Sequence, residues 1–126
     1  MAQHNDTGRW GEDCAEQYLR RKGYILRDRD WRPVGSHRDL DLVMLTADLT
    51  TVVFVEVKTR SSDDLANPAD AVDEKKIRNL GYAANEYVKA RNVVEELRFD
   101  VVCIVGSRGH VERVEHIEDA FNPTLL

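Results

Sequence analysis

An α/β fold, with a mixed sheet flanked by helices, is what this sequence predicts. Three observations predict it. Helix-period apolar stripes lie near residues 7–22 and again after residue 73. Between and beyond them lie short β-branched runs whose side chains alternate. The connections are too short and too varied for a chain of repeated βαβ units. The expected order is α-β-β-β-α-β-β in one domain over residues 1–126, with its core at about 8–117.

Each element has its own warrant. The first helix is expected to begin at Thr7 as N-cap and to stop at Gly23, with Ala15, Tyr18 and Leu19 on its buried face. A strand over Tyr24–Trp31 follows, then a turn at Arg32-Pro33-Val34-Gly35-Ser36. In the next strand, Asp39–Leu45, alternation sets Leu40, Leu42 and Met44 against Asp39, Asp41 and Val43. Asp48-Leu49-Thr50 suits a hairpin into Thr51–Thr59, where Glu56 and Lys58 share a face with Phe54. A polar loop leads to a second helix capped by Asp73 and striped by Ile77, Leu80, Ala84, Tyr87 and Val88. Strands over Arg98–Val105 and Val111–Ile117 close the chain.

Composition narrows the function. The chain has 126 residues, 42% apolar and 33% charged, which is the balance of a folded globular protein. No apolar run approaches the roughly 20 residues that span a bilayer, and Met1-Ala2-Gln3-His4-Asn5-Asp6 has no signal pattern, so a cytoplasmic protein without a membrane is expected. Cys14 and Cys103 are expected to be reduced thiols inside apolar patterns. A net charge of −5 disfavours nucleic acid on the sum alone. The basic residues nonetheless gather at Arg9, Arg20, Arg21, Lys22, Arg27, Arg29 and Arg32, away from Asp63, Asp64, Asp70, Asp73 and Glu74.

The chemistry sits in Phe54-Val55-Glu56-Val57-Lys58. Cutting a phosphodiester calls for a hard divalent cation held by carboxylates and left open to phosphate and water. Glu56 and Lys58 leave the strand together, and a short hairpin brings Asp41 beside them. The lysine ammonium then faces the charge that develops on phosphorus. A Val-Glu-Val-Lys strand also fits an ordinary half-exposed strand. Asp41 within an apolar strand and Glu12 beside the helical stripe are costly placements unless they are solvated, paired or bound to metal. Lys75, Lys76 and Arg78 at the start of the second helix either grip a nucleic-acid backbone or form a solvated turn. His37 sits close to Asp39 and Asp41 and reads as polar surface, and His4, His110 and His116 show no ligand spacing. Trp10 and Trp31 read as core or rim residues or as platforms for base stacking, and Asp100 as an acid that makes a structural hydrogen bond or pairs with an Arg.

Gly11-Glu12 with Ala15 and Leu19, Gly23-Tyr24, Asp41-Leu42-Val43, Phe54-Val55-Glu56-Val57-Lys58-Thr59-Arg60 and Arg98-Phe99-Asp100-Val101-Val102 occur in this order. Together, from about Gly8 to Ile117, they resemble the YraN family, a bacterial group of predicted endonucleases. That family is similar in turn to the archaeal Holliday-junction resolvases of the PD-(D/E)XK nuclease superfamily. The resemblance implies a restriction-endonuclease-like fold and a Mg²⁺ site, with Mn²⁺ able to substitute. It implies Asp41, Glu56 and Glu12 as metal ligands and Lys58 as the catalytic lysine, with Thr59 and Arg60 near phosphate. It also implies DNA, branched or otherwise structured, as partner and a homodimer that cuts two strands. One segment departs from the family: its usual Gly-Glu-Ile-Asp is Arg38-Asp39-Leu40-Asp41 here. The metal-binding acid is kept, but the altered loop leaves open a nuclease-fold protein that binds DNA or a DNA-maintenance partner without cutting.

Overall fold

The computed structural model describes residues 6–36, 39–64, 67 and 72–125; His37, Arg38 and Asp70 lie outside them. The elements run α1 (Asp6–Arg21), β1 (Ile25–Trp31), β2 (Leu40–Leu45), β3 (Thr51–Arg60), α2 (Glu74–Arg91), β4 (Glu96–Ser107) and β5 (His110–Ile117). This is the expected order, with β4 longer at both ends than its apolar core suggested. Thr7 lies inside α1 and is not its N-cap, since the helix already runs at Asp6. Gly23 stops α1 as expected. With φ at 98° it lets its own N–H reach the Arg20 carbonyl and the Tyr24 N–H reach that of Leu19.

The five strands lie in the order β1-β2-β3-β4-β5. β3 and β4 are parallel because α2 carries the chain back between them, and every other pair is antiparallel. Alternation sends the two faces of the sheet into two cores. Leu42, Met44, Val53, Val55, Val102 and Ile104 pack with Ala15 and Leu19 of α1. Val43, Leu45, Val52 and Phe54 pack with Leu80, Ala83, Ala84 and Tyr87 of α2. Leu40 joins this second core and not Leu42 and Met44. Its cross-strand partner is Trp31, whose indole stands edge-on to Tyr87 at 5.1 Å and draws the end of β2 towards α2. Cys103 is buried, Cys14 is half-buried, and both are free thiols.

Two details of this frame shape the site. The β2–β3 pairing runs from Leu45↔Val52 to Leu42↔Val55, and Asp41 lies one residue beyond its last pair. Asp73 caps α2 by accepting the Lys76 N–H at 2.8 Å, which fixes the first turn of that helix, Lys75 and Lys76 included, next to the end of β3.

Candidate metal centre

Where β2 and β3 part, the Asp41 side chain takes over from the backbone. Its Oδ2 accepts the Val57 N–H at 2.9 Å. Asp41 lies between Leu40, which packs on the α2 side, and Leu42, which packs on the α1 side, and its carboxylate lies against that of Glu56. Glu56 is 3% exposed, and its Oε1 is buried without a hydrogen-bond partner among the described residues. Its other oxygen, Oε2, is 3.5 Å from Lys76 Nζ and 3.9 Å from Lys58 Nζ. Burial first, then the Glu56 charge, pushes Asp41 well above the ordinary carboxylate range against the opposing pull of the Val57 N–H. Burial pulls Lys76 down, but Glu56, Asp41 and Asp39 together raise it above an ordinary lysine.

Glu12 reaches the same place from α1. The helix can lie this close to the sheet because residue 11 is glycine. A Cβ there would run into Thr59 Cγ2, with Val57 just behind. The Glu12 carboxylate is raised from 4.5 to about 8, by burial first, then by Asp41 and Asp30, with Arg29 pulling the other way. The Arg29 guanidinium also holds Asp13 at 2.7 Å and Glu16 at 3.1 Å.

Of the residues singled out from sequence, Glu12, Asp41, Glu56 and Lys58 converge here. Lys76, expected from sequence either to grip a nucleic-acid backbone or to sit in a solvated turn, lies at the acids themselves. With Lys58, Lys75, Asp73 and Asn79 it lines a cleft of about 290 Å³. Arg78 is exposed and lines no part of that cleft. Thr59 turns its methyl to α1 at Gly11, and Arg60 bonds Glu115 of β5 at 3.0 Å. Sequence carries only a weak signal for Asp30: an acid in an alternating Arg27-Asp28-Arg29-Asp30 run looks like surface until the register with β2 is known. Arg29, one of the basic residues that gather between Arg9 and Arg32, is anchored among acids.

The donor set fits a hard divalent cation. It is all carboxylate oxygen, one buried oxygen has no hydrogen-bond partner among the described residues, and two acids hold their protons above the normal range. Those are the marks of negative charge gathered without enough positive charge to balance it.

Two expected outcomes follow from this geometry. Gly11→Ala should destabilise the protein by about 1–3 kcal/mol through overpacking against β-branched Thr59, which has no other rotamer to retreat to cheaply. Urea unfolding of the variant measures it, and a loss within error would mean that α1 slides freely on β3. The second concerns pH in metal-free buffer. Glu12 holds its proton more tightly folded than unfolded, so its contribution is complete below about 4.5 and disappears as pH rises to about 8. Asp41 acts in the same direction. Melting temperature in EDTA should therefore fall across that window, and saturating Mn²⁺ should remove the decline. A flat profile in EDTA would contradict the crowding of these acids.

A five-stranded mixed sheet between two helices, with carboxylates and lysines clustered where two strands part, defines an α/β protein with an acidic cluster on its sheet. The chain belongs to the uncharacterised protein family UPF0102, whose model matches residues 11–104. The matched span takes in Glu12, Asp41, Glu56, Lys58, Lys76 and Asp100. A UPF0102 protein of Bacteroides fragilis is 45% identical over 126 residues, covering all of both chains. One from Bacteroides thetaiotaomicron is 42% identical over the same full length. One from Flavobacterium psychrophilum is 39% identical over 121 residues, 96% of this chain and 98% of its own.

Proposed function

We propose that this protein is a divalent-metal-dependent endonuclease that hydrolyses phosphodiester bonds in DNA, with branched or otherwise structured DNA as its substrate. The observation that carries this reading is the Glu56 carboxylate, buried beside Asp41 with its Oε1 lacking a hydrogen-bond partner among the described residues and with Lys58 beside its other oxygen. Asp41, Glu56 and Glu12 would hold Mg²⁺, or Mn²⁺ in its place. When bound, the cation supplies Lewis acidity and an activated water. Lys58 stands where its ammonium can meet negative charge developing on phosphorus. Lys75 and Lys76, with Lys58, give the adjoining cleft the positive lining that a phosphate backbone needs. The resemblance of the motif blocks to the YraN family, itself similar to archaeal junction resolvases, supports the choice of substrate and suggests a homodimer acting on two strands in the cytoplasm.

The test is cleavage of labelled single strand, duplex, flap and four-way junction with Mg²⁺ or Mn²⁺, beside Glu56→Gln. Metal-dependent cutting by the native chain alone would support the reading and reveal the preferred substrate shape. No cutting across the panel would overturn it. The lysine-lined cleft also favours a second reading, in which the chain binds DNA without turnover. Salt-dependent binding that survives Lys58→Ala, with no cleavage under any metal, would select that one.

A further inference from the structure

We infer that the cleft between Trp31 and the C-terminal half of α2 holds an unpaired base of the DNA on which the protein acts. This rests on the reading of the chain as a protein of structured DNA and names the part of that substrate it recognises. The cleft measures about 350 Å³, within the range of sites that take a small ligand. Trp31, Arg32 and Val34 line it from the end of β1 and the turn beyond, and Glu86, Ala90 and Arg91 line it from α2. None of these six belongs to the motif blocks or to the candidate cation site.

Stacking needs flat surfaces held in place, and the cleft has two. The Trp31 indole is braced edge-on against Tyr87 at 5.1 Å. The Arg91 guanidinium is fixed by Asp28, which accepts from its Nε at 3.2 Å and its Nη2 at 3.3 Å. Indole and guanidinium planes both stack on a base, whatever its identity. Val34, fully exposed, extends the apolar rim. Arg32 stands 3.6 Å from Asp39, a loose pairing that an incoming phosphate can replace. Glu86, 3.4 Å from Lys89, puts a negative charge at the cleft and repels a phosphate from it. The cleft therefore takes the base and leaves its phosphate to Arg32 at the rim.

Position ties this cleft to the lysine-lined one. Lys75, Asn79, Glu86 and Ala90 follow one another at four, seven and four residues, which puts all four on one face of α2. The first two line the lysine cleft and the last two this one. From Asn79 to Glu86 the helix rises about 10 Å, the length of about three stacked nucleotides. Trp31 is also the strand partner of Leu40, next to Asp41, so its Cα lies within about 9 Å of that of Asp41. A strand with its phosphates on Lys75 and Lys76 thus reaches Trp31 a few nucleotides on. In a duplex that base is paired and stacked on its neighbours. The cleft accordingly selects DNA with an unpaired nucleotide near the cut, as in a flap or an open branch point.

The experiment titrates the full chain in EDTA with a mixed-sequence single strand of DNA and with the blunt duplex it forms, following tryptophan emission. Trp10 and Trp31 are the two tryptophans, so Trp10→Phe leaves Trp31 as sole reporter. The single strand should quench that emission, and the duplex should bind without quenching it. Trp31→Leu should weaken single-strand binding by about five- to a hundredfold, the range for one lost stacking platform, and leave duplex binding unchanged. Trp31 also packs on the core of Leu40 and Tyr87, so Ala90→Glu probes the cleft from an exposed helical position. It should keep the circular dichroism and melting temperature of the native chain and weaken single-strand binding in the same way. A single strand that leaves Trp31 unquenched and binds native chain, Trp31→Leu and Ala90→Glu equally would overturn the cleft and leave the nucleic-acid reading standing. Equal quenching by the duplex would overturn the selection of an unpaired base. No binding of either probe up to about 0.1 mM at low salt, the weak end of non-specific affinity, would overturn both readings.

Discussion

Glu56→Gln should cut metal-dependent cleavage by about a hundred- to a thousandfold, the range that one preorganised electrostatic contact contributes. It should do so without unfolding the chain. Gln has the same shape as Glu, so the packing around a side chain that is 3% exposed is preserved. Its amide offers an N–H to Asp41 where the native chain presents a second negative charge. Asp41 should therefore fall back towards an ordinary carboxylate pKa, which carbon-detected NMR titration of the side chain would follow. Against that gain stands the loss of two ion pairs at 3.5 and 3.9 Å. Lys76 is 38% and Lys58 41% exposed, so solvent screens both pairs, and each is worth at most about 1 kcal/mol. The melting temperature in EDTA should consequently match or exceed that of the native chain. A site kept for chemistry at the expense of stability behaves in this way. If the variant instead melts far below the native protein, Glu56 is a structural residue, and lost cleavage would say nothing about catalysis.

The parts of this site that were legible in sequence are those set by alternation within one strand. Glu56 and Lys58 share a face with Phe54 because side chains alternate, and Thr51–Arg60 is β-branched enough to leave no doubt of the strand. Asp41 was legible for the same reason, as an acid in an apolar run. What escaped depended on relations between elements. Asp30 comes abreast of Asp41 only through a register that includes a bulge between Leu26 and Asp28, and no local pattern encodes a bulge. Lys76 meets Glu56 because α2 packs on the sheet with its first turn over the end of β3, a consequence of Tyr87, Leu80 and Ala84 finding their core. Leu40 broke its expected alternation because Trp31 pulled it towards Tyr87. Histidine spacing in the sequence gives His116 no role. Its side chain is 3% exposed and fills a structural position that only the pairing of β4 with β5 reveals.

That position leads to the largest stability effect expected outside the acidic site. Asp100→Ala should destabilise the protein by about 3–5 kcal/mol, as breaking one partner of a buried charged network does. That is a drop in melting temperature on the order of 10 °C or more. Asp100 is fully buried on the α1 side of the sheet. Its Oδ1 accepts from Arg98 Nε at 2.9 Å and the Asp119 N–H at 3.0 Å. Its Oδ2 accepts from Arg98 Nη2 at 2.8 Å and His116 Nε2 at 2.7 Å. The histidine tautomer follows from chemistry. Lys22 Nζ stands 2.9 Å from His116 Nδ1, and an ammonium can only donate, so Nδ1 accepts and Nε2 carries the proton given to Asp100. Burial raises the Asp100 carboxyl most, yet the bonds from His116 and Arg98 outweigh it and hold the pKa below the ordinary 3.8. Its contribution is therefore present above that value and lost as pH falls through the lower folded-state pKa, the opposite of Glu12.

Asp100→Asn distinguishes this account from simple loss of packing. Each Asp100 oxygen receives two donors, so an amide NH₂ in either orientation faces donors with nothing to accept them. Asn should thus destabilise nearly as much as Ala, although it fills the same space. A loss under about 1 kcal/mol in both variants would mean that Arg98 shifts to Glu118, now 3.6 Å from its Nη1, and that His116 re-solvates. Because Lys22 and His116 meet just beyond the C-terminal end of α1, while Glu12 lies in the N-terminal half of that helix, Mn²⁺ stoichiometry in Asp100→Ala should be unchanged below its melting point. Stability and metal binding would then be shown to reside at opposite ends of one helix.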